Sequence, residues 1–396
     1  MHKFYEDMIE PFLSYFSLSE KIVLILALFA FIAQLYYYMG VFGRVAFFRR
    51  RALAPHGGEN EDEAHTPPVS VIICARNEEV ALGQNLHRVL EQDYPEFEVI
   101  VVNDCSEDDS EILLASMQEK YPNLVFRTIV KDEVFKHNKK MALGVGIKAA
   151  RHDLLLFLDA DCYPPGPCWL RRMASRFSEK TDVVLGYTRL TNNRRWVRAD
   201  RLMRALHYLG KALKHKPYMG VGSNLAYRKQ LFFDHKGFDI RITGNLREDC
   251  VFINKVATRD NTAVAVSPEA VNVSALRITG ERWRRERREE IRSFALCEKG
   301  SRYPELAETL YRLVFFATMA AAIIRFSEHP VMLPLLAGVV LFRLLLQQLV
   351  FFRVQRRLGE KGLLFMLLLW DLIFPLLYPV LISVSKGYRK QNLNYR

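Results

Sequence analysis

Apolar and polar positions divide this chain into three parts. No residue from Ile22 to Gly43 is charged, and these 22 residues can cross roughly 30 Å of hydrocarbon as a helix. A signal peptide would be shorter and would end in a small-residue cleavage site. Three further apolar runs lie near 309–326, 331–352 and 363–385, joined by short connections. The middle reads as an ordinary soluble domain. Buried-strand patterns cover Val69–Ala75, Phe97–Asn103, Leu124–Val130 and Leu154–Leu158. Helix-like stretches separate them, the first reaching about Gln92, then Ser110–Lys120 and Asn138–Arg151. Strands alternating with helices predict an α/β domain with a parallel sheet and crossover helices. The expected organisation is an anchor over 1–50 with its span near 20–43, then a polar linker over 51–68. The α/β domain follows over 69–300 and ends in an amphipathic interfacial helix. Membrane segments over 305–386 and a basic tail over 387–396 complete the chain.

Flanking residues orient the apolar runs. Tyr36, Tyr37, Tyr38, Phe47 and Phe48 and then Arg49, Arg50 and Arg51 follow the first run, whereas Glu6, Asp7 and Glu10 precede it. Aromatics followed by positive charge mark the cytoplasmic interface, so the central domain is expected in the cytoplasm. The 353–362 connection, with Arg353, Arg356, Arg357 and Lys361, fits the same side. The tail conflicts with this count. Three C-terminal crossings would put Lys386, Arg389, Lys390 and Arg396 outside, and Pro375 and Pro379 leave room for a broken or re-entrant last segment. Arg343, in the middle of an apolar run, either lines a polar path or packs between helices.

The net charge is +12, with a pI near 9.4. The arginines gather beside the apolar runs, at 49–51, 282–288 and 353–357, which points to anionic membrane lipids as partners. No nucleic-acid-binding signature accompanies them, and no nucleic-acid partner is expected. All six cysteines fall in the middle domain without zinc spacing, as free thiols in a reducing compartment would.

In parallel sheets, ligands sit at the carboxyl ends of strands. Three strands here end in polar residues: Arg76 to Glu78, Asn103-Asp104, and Asp159 to Asp161. No GxGxxG or P-loop is present, which weakens the oxidoreductase and NTPase readings. Asp159 and Asp161 are two apart, so strand alternation puts them on one side, where two carboxylates suit Mg²⁺ or Mn²⁺. The alternative is an ordinary acidic loop. Asp104 and Glu78 suit nucleobase or ribose donors, or cap loops. Glu248-Asp249 either supplies a base for an acceptor hydroxyl or caps a helix beginning near Val251. In the charged stretch 279–292, Arg282 grips a diphosphate and Trp283 walls the acceptor, or the helix is simply solvated at the interface. Lys139 is a phosphate contact or a surface lysine.

Together these residues resemble the family 2 glycosyltransferases, inverting enzymes of the GT-A fold. Val69-Ser-Val-Ile-Ile-Cys-Ala-Arg-Asn-Glu78 is similar to the opening strand and turn of that family. Val101-Val-Asn-Asp-Cys-Ser-Glu-Asp108 resembles its Val-Asp-Asp-Gly-Ser-x-Asp motif, with Asn103 and Cys105 as departures. Lys139-Lys-Met-Ala-Leu143, Leu158-Asp-Ala-Asp161 and Gly220-Val-Gly-Ser-Asn-Leu-Ala-Tyr227 resemble the Lys-x-x-Ala-Leu, Asp-x-Asp and acceptor-side segments. Arg247-Glu-Asp249 stands where the family has Thr-Glu-Asp, and Thr279-Gly-Glu-Arg-Trp283 where it has Gln/Arg-x-x-Arg-Trp.

The resemblance implies a Rossmann-like, nucleotide-sugar-binding GT-A domain with one N-terminal and about three C-terminal transmembrane helices. It implies Asp249, beside Glu248, as catalytic base, and Asp161 with Asp159 as holders of Mg²⁺ or Mn²⁺. The donor would meet Ala75, Arg76, Glu78, Asp104, Lys139, Asp159, Arg282 and Trp283. The acceptor would meet Gly222, Ser223, Asn224 and Trp283. The expected activity is transfer from a nucleotide-diphosphate sugar, first of all a UDP-sugar, to a lipid or lipid-linked glycan. The expected setting is a multi-pass protein of a bacterial inner membrane. A processive polysaccharide synthase is the alternative within this class, and a non-catalytic nucleotide-sugar sensor the alternative outside it.

Overall fold

The computed structural model describes residues 16–48, 66–130, 139–239, 246–298, 303 and 305–393, with side chains through Ser383. The expectations on Glu6, Asp7, Glu10, Arg49 to Arg51, most of the linker, Asn138 and the basic tail's side chains lie outside the described residues.

The first apolar helix, α1, runs Leu18–Ala46. Ser17 and Glu20 form a capping box at its start, and its backbone is π-helical over Tyr36–Phe42. The α/β domain then alternates as expected: β1 Val69–Ala75, α2 Glu79–Leu90, β2 Phe97–Asp104, α3 Ser110–Lys120, β3 Leu124–Ile129, α4 Lys139–Ala149 and β4 Leu154–Asp159. Its second half comprises β5 Cys162–Tyr163, α5 Trp169–Ala174, β6 Val183–Leu185, β7 Thr188–Leu190, α6 Arg195–Ala212, β8 Leu225–Arg228, α7 Lys229–Asp234, α8 Glu248–Val256, β9 Thr262–Val264, β10 Asn272–Ser274 and α9 Gly280–Ser293. The remaining apolar helices are α10 Leu306–Arg325, α11 Met332–Arg357 and α12 Leu364–Leu393.

Seven strands form the main sheet in the order β3-β2-β1-β4-β8-β6-β9. Its first half is parallel, as the alternation of strands and helices predicts, but β8 runs antiparallel to both β4 and β6. The sheet is therefore mixed. The short β5, β10 and β7 form a second sheet. Alternation sends successive side chains to opposite faces. Val69, Val71 and Ile73 join one core cluster, and Ile72 joins the other with Ile100 and Val102. Both faces are covered, which is why these strands read as continuous apolar runs.

Register levels the strand ends. Ala75 pairs with Asn103 across β1–β2, and Cys74 with Asp159 across β1–β4. The following loops are tied together. Asn77, at φ 55°, donates its backbone N–H to Ser106 (2.9 Å) and accepts from the Glu107 N–H (2.8 Å).

By length and apolarity alone, α1, α10, α11 and the Leu364–Ser383 part of α12 are each able to cross a membrane, matching the expected one plus three. The two readings of Arg343 are now separated. It is fully buried, donates to Gln347 (2.6 Å), Gln34 (3.0 Å) and the Tyr38 hydroxyl (3.0 Å), and pairs with Asp371 (2.6 Å). It packs between helices. The α11–α12 connection returns to the α/β domain, where the buried Glu360 accepts from Tyr187 (2.9 Å) and Arg198 (2.5 Å).

Candidate active site

The carboxyl end of β4 and the first turn of α8 face each other across a cleft with an empty volume of about 390 Å³. Apolar side chains, among them Phe157, Tyr227 and Phe252, line its floor. Lys139, Asp159, Gly222, Glu248 and Asp249 supply its polar wall. Helix α8 begins at Glu248 rather than near Val251. Both acids therefore stand in its first turn, where the N-terminal end of the helix dipole favours negative charge. The expected cap role falls away, since the N-cap residue is Arg247 and makes no side-chain cap.

Asp249 is held on every side. Its Oδ2 accepts from the Gly222 N–H (2.6 Å) and from Arg247 Nη2 (2.8 Å), and its Oδ1 accepts from the Cys250 N–H (2.7 Å). A Cβ on Gly222 would stand 3.3 Å from the same carboxylate oxygen, so any larger residue there presses on Asp249. Burial pushes the Asp249 pKa up, but Arg247 and its hydrogen bonds outweigh burial and hold it below the usual value. Glu248, also buried, is raised by burial and by the neighbouring Asp249 charge, with Lys139 opposing. The two adjacent acids are thus driven apart.

Lys139 stands at the start of α4, its ammonium 2.6 Å from Asp159 and 4.0 Å from Glu248. Burial acts against its charge, yet Asp159 and Glu248 hold its pKa above the ordinary value. Asp159 is lowered, because Lys139 overcomes burial. Asp161 is raised by burial and by the Asp159 charge, and it accepts a hydrogen bond from Ser274 on β10. Asp159, Asp161 and Cys162 place their ligand atoms within 4.8 Å of one another. Cys162 is buried and its thiol is pushed up, so it stays neutral. Two carboxylates of which only Asp159 has a lysine suit a hard divalent cation completed by substrate oxygens.

Glu78 is raised by burial and by Asp161, while Arg282 draws it down. Arg282 also pairs with Glu286 at 2.9 Å. Asp104 is buried at the end of β2, Ala75 is buried at the end of β1, and Arg76 is exposed beyond it.

Two expectations are corrected. Trp283 does not wall the acceptor: it is buried between Trp196 (5.1 Å) and Trp370 (6.3 Å), and its indole N–H donates to Asp200 (2.8 Å). Asn224 is not offered to an acceptor either. It accepts from Trp169 (3.2 Å) and donates to the carbonyls of Tyr187 and Ala270, both at 2.8 Å. Ser223 is buried, and its carbonyl accepts from Thr188 and Asn272. Of the Gly220 to Tyr227 segment, Gly222, Leu225 and Tyr227 line the cleft, so Gly222 is the one expected acceptor contact found there. The sequence reading gave Arg247 no role beyond that of an unusual residue in the Thr position, and nothing in it singled out Ser274, which lies 113 residues from Asp161.

Arg247 yields a prediction. Arg247→Ala removes the cation that holds Asp249 low, so the Asp249 pKa rises. The acidic limb of a kcat/KM pH profile is then expected to move to higher pH. An unmoved limb would separate that limb from Asp249.

The sequence profile described as Glycosyl transferase family 2 matches residues 70–235. A probable glycosyltransferase of Bacillus subtilis, YdaM, is 32% identical over 141 residues, covering 33% of this chain and 32% of that protein. An undecaprenyl-phosphate 4-deoxy-4-formamido-L-arabinose transferase of Proteus mirabilis is 34% identical over 143 residues, covering 35% of this chain and 42% of that protein. The matched part of this chain therefore spans less than half the length of these relatives. Among solved structures, a Pyrobaculum calidifontis mannosyltransferase, PcManGT, in complex with GDP-Man and Mn²⁺, superposes with a TM-score of 0.54 at 20% identity. That match covers 87% of this chain and 99% of that one, a likeness of fold. A mixed α/β sheet of this type, with carboxylates at its β4 end, carries the matched segment, and residues 70–235 of this chain belong to glycosyl transferase family 2.

Proposed function

We propose that this protein is a membrane-bound inverting glycosyltransferase that moves a sugar from a nucleoside-diphosphate donor to a lipid or lipid-linked glycan. The observation that carries the reading is the convergence of Asp159, Asp161, Glu248, Asp249 and Lys139 around one cleft at the carboxyl ends of the parallel strands. The donor nucleotide lies against the ends of β1 and β2, near Glu78 and Asp104. Lys139 and Arg282 offer cations to its diphosphate. Bound between Asp159 and Asp161, Mg²⁺ or Mn²⁺ would neutralise charge on the leaving diphosphate. Asp249 takes the proton of an acceptor hydroxyl as that oxygen bonds to the anomeric carbon. The bond to the diphosphate breaks, the leaving group keeps the electron pair, and configuration inverts.

Support for a lipid acceptor comes from the apolar helices and from the relative named for an undecaprenyl-phosphate acceptor. The charge pattern supports a cytoplasmic catalytic domain at a bacterial inner membrane. The test is nucleoside diphosphate release by the purified, detergent-solubilised protein. UDP-sugars are screened first, with membrane lipid extract as acceptor, in Mn²⁺ or Mg²⁺ and then in EDTA. Metal-dependent release with one donor is expected, with a single product rather than a ladder. Release unaffected by EDTA would remove the metal from the mechanism, and donor binding without release under any acceptor would favour a sensor.

A further inference from the structure

We propose that α12 does not cross the membrane but lies along the leaflet next to the α/β domain, its apolar face in the lipid. The chain then crosses three times, through α1, α10 and α11, and its C-terminus stays on the side of the catalytic domain.

Packing along α12 carries it. A crossing helix moves away from the domain by about 1.5 Å per residue. Trp370 stacks on Trp196 of α6 (6.2 Å), within the domain. Eight residues further, Tyr378 still touches the domain, with Arg287 of α9 over its ring (5.9 Å) and over that of Phe374 (5.6 Å). The same Arg287 pairs with Glu305 (2.6 Å), the residue just before α10 begins. Leu381 and Ile382 remain in the cluster that includes the domain core. The far halves of α1, α10 and α11 instead form their own cluster, from Phe16, Ala27, Met319, Phe326, Met332 and neighbours. Among the described side chains, no α12 residue belongs to that cluster. The far side is further marked by the Arg325–Glu20 pair (2.9 Å) and the Phe16–Phe326 contact (5.5 Å).

The helix has two faces, one packed and one open. Leu367, Trp370, Asp371, Phe374, Tyr378 and Leu381 are buried, while Phe365, Leu372, Ile373, Leu376 and Val380 are exposed. The open face is apolar, as are the open Leu341 and Leu345 of α11. Pro375 and Pro379 leave the carbonyls of Asp371 and Pro375 without intrahelical donors, a lighter cost near headgroup water than in hydrocarbon. Charge agrees, because Lys386, Arg389, Lys390 and Arg396 then share the domain's side with Arg353, Arg356 and Arg357.

The test is labelling by a membrane-impermeant maleimide in intact cells and in inverted vesicles, read on the modified peptide by mass spectrometry. Two single variants of the full chain are used, Glu328→Cys in the exposed α10–α11 connection and Arg396→Cys at the end of the tail. Native cysteines at 74–297 report the domain's side. Arg396→Cys is expected to react only from the side opposite Glu328→Cys, together with the native thiols. Reaction of both variants from the same side would overturn the proposal and make α12 a fourth crossing.

Discussion

Asp249→Asn is expected to abolish sugar transfer while leaving donor affinity within about twofold. A side chain acting as general base contributes roughly 10²- to 10⁴-fold to rate, so kcat should fall by that order. Asparagine keeps the shape, and its one amide oxygen still accepts from one of the two N–H groups, Gly222 and Cys250, that bond the two Asp249 carboxylate oxygens at 2.6 and 2.7 Å. The negative charge is what disappears, and with it the proton acceptor. Donor contacts are proposed at Lys139, Glu78 and Asp104 rather than at Asp249, so calorimetric titration of the donor should change little. Product formation at the wild-type rate would take the base role from Asp249. Loss of donor binding along with turnover would instead mean that Asp249 holds the site together.

Asp371→Leu should cost about 3–5 kcal/mol of stability, the range for breaking a buried ion pair by removing one partner. Asp371 is almost fully buried and pairs with Arg343 (2.6 Å) and Arg312 (3.0 Å), while Arg312 also bonds Glu308. The Tyr38 hydroxyl donates to the same carboxylate at 3.0 Å. Removing Asp371 leaves two buried guanidinium groups facing one carboxylate. In detergent, the apparent Tm is expected to drop by roughly 10 °C. Combining Asp371→Leu with Arg343→Leu removes one charge of each sign and should recover most of the loss. A double variant no better than Asp371→Leu would mean that packing, rather than charge balance, sets the cost.

Local pattern carried much of this molecule. The strands were legible because both faces of β1, β2 and β4 are covered, so each reads as an unbroken apolar run. Helix α3 matches its expected limits, Ser110–Lys120. The grouping of Asp159 with Asp161 was legible because two residues in a strand share a side. The convergence of the three acidic strand ends followed from the rule for parallel sheets. The antiparallel β8 was not legible, since four residues, Leu225–Arg228, carry no signal of direction.

Side-chain roles set by distant partners were equally silent. The letters alone could not say that Trp283 is spent on Asp200, or that Asn224 is locked by Trp169, Tyr187 and Ala270. Each of those bonds joins segments tens of residues apart. Apolar length likewise counted four helices able to cross a membrane, because hydropathy measures composition and not direction. Whether Arg343 lines a path or fills a core was decided by Gln347 one turn along its own helix and by Asp371, Gln34 and Tyr38, drawn from two other helices. Periodicity and composition thus determined the α/β core, its acidic strand ends and the apolar segments, since each depends on near neighbours. Tertiary structure alone decided which polar groups face the cleft and which are consumed inside it. A buried polar group must find its partner wherever the fold brings one, and sequence distance says nothing about that.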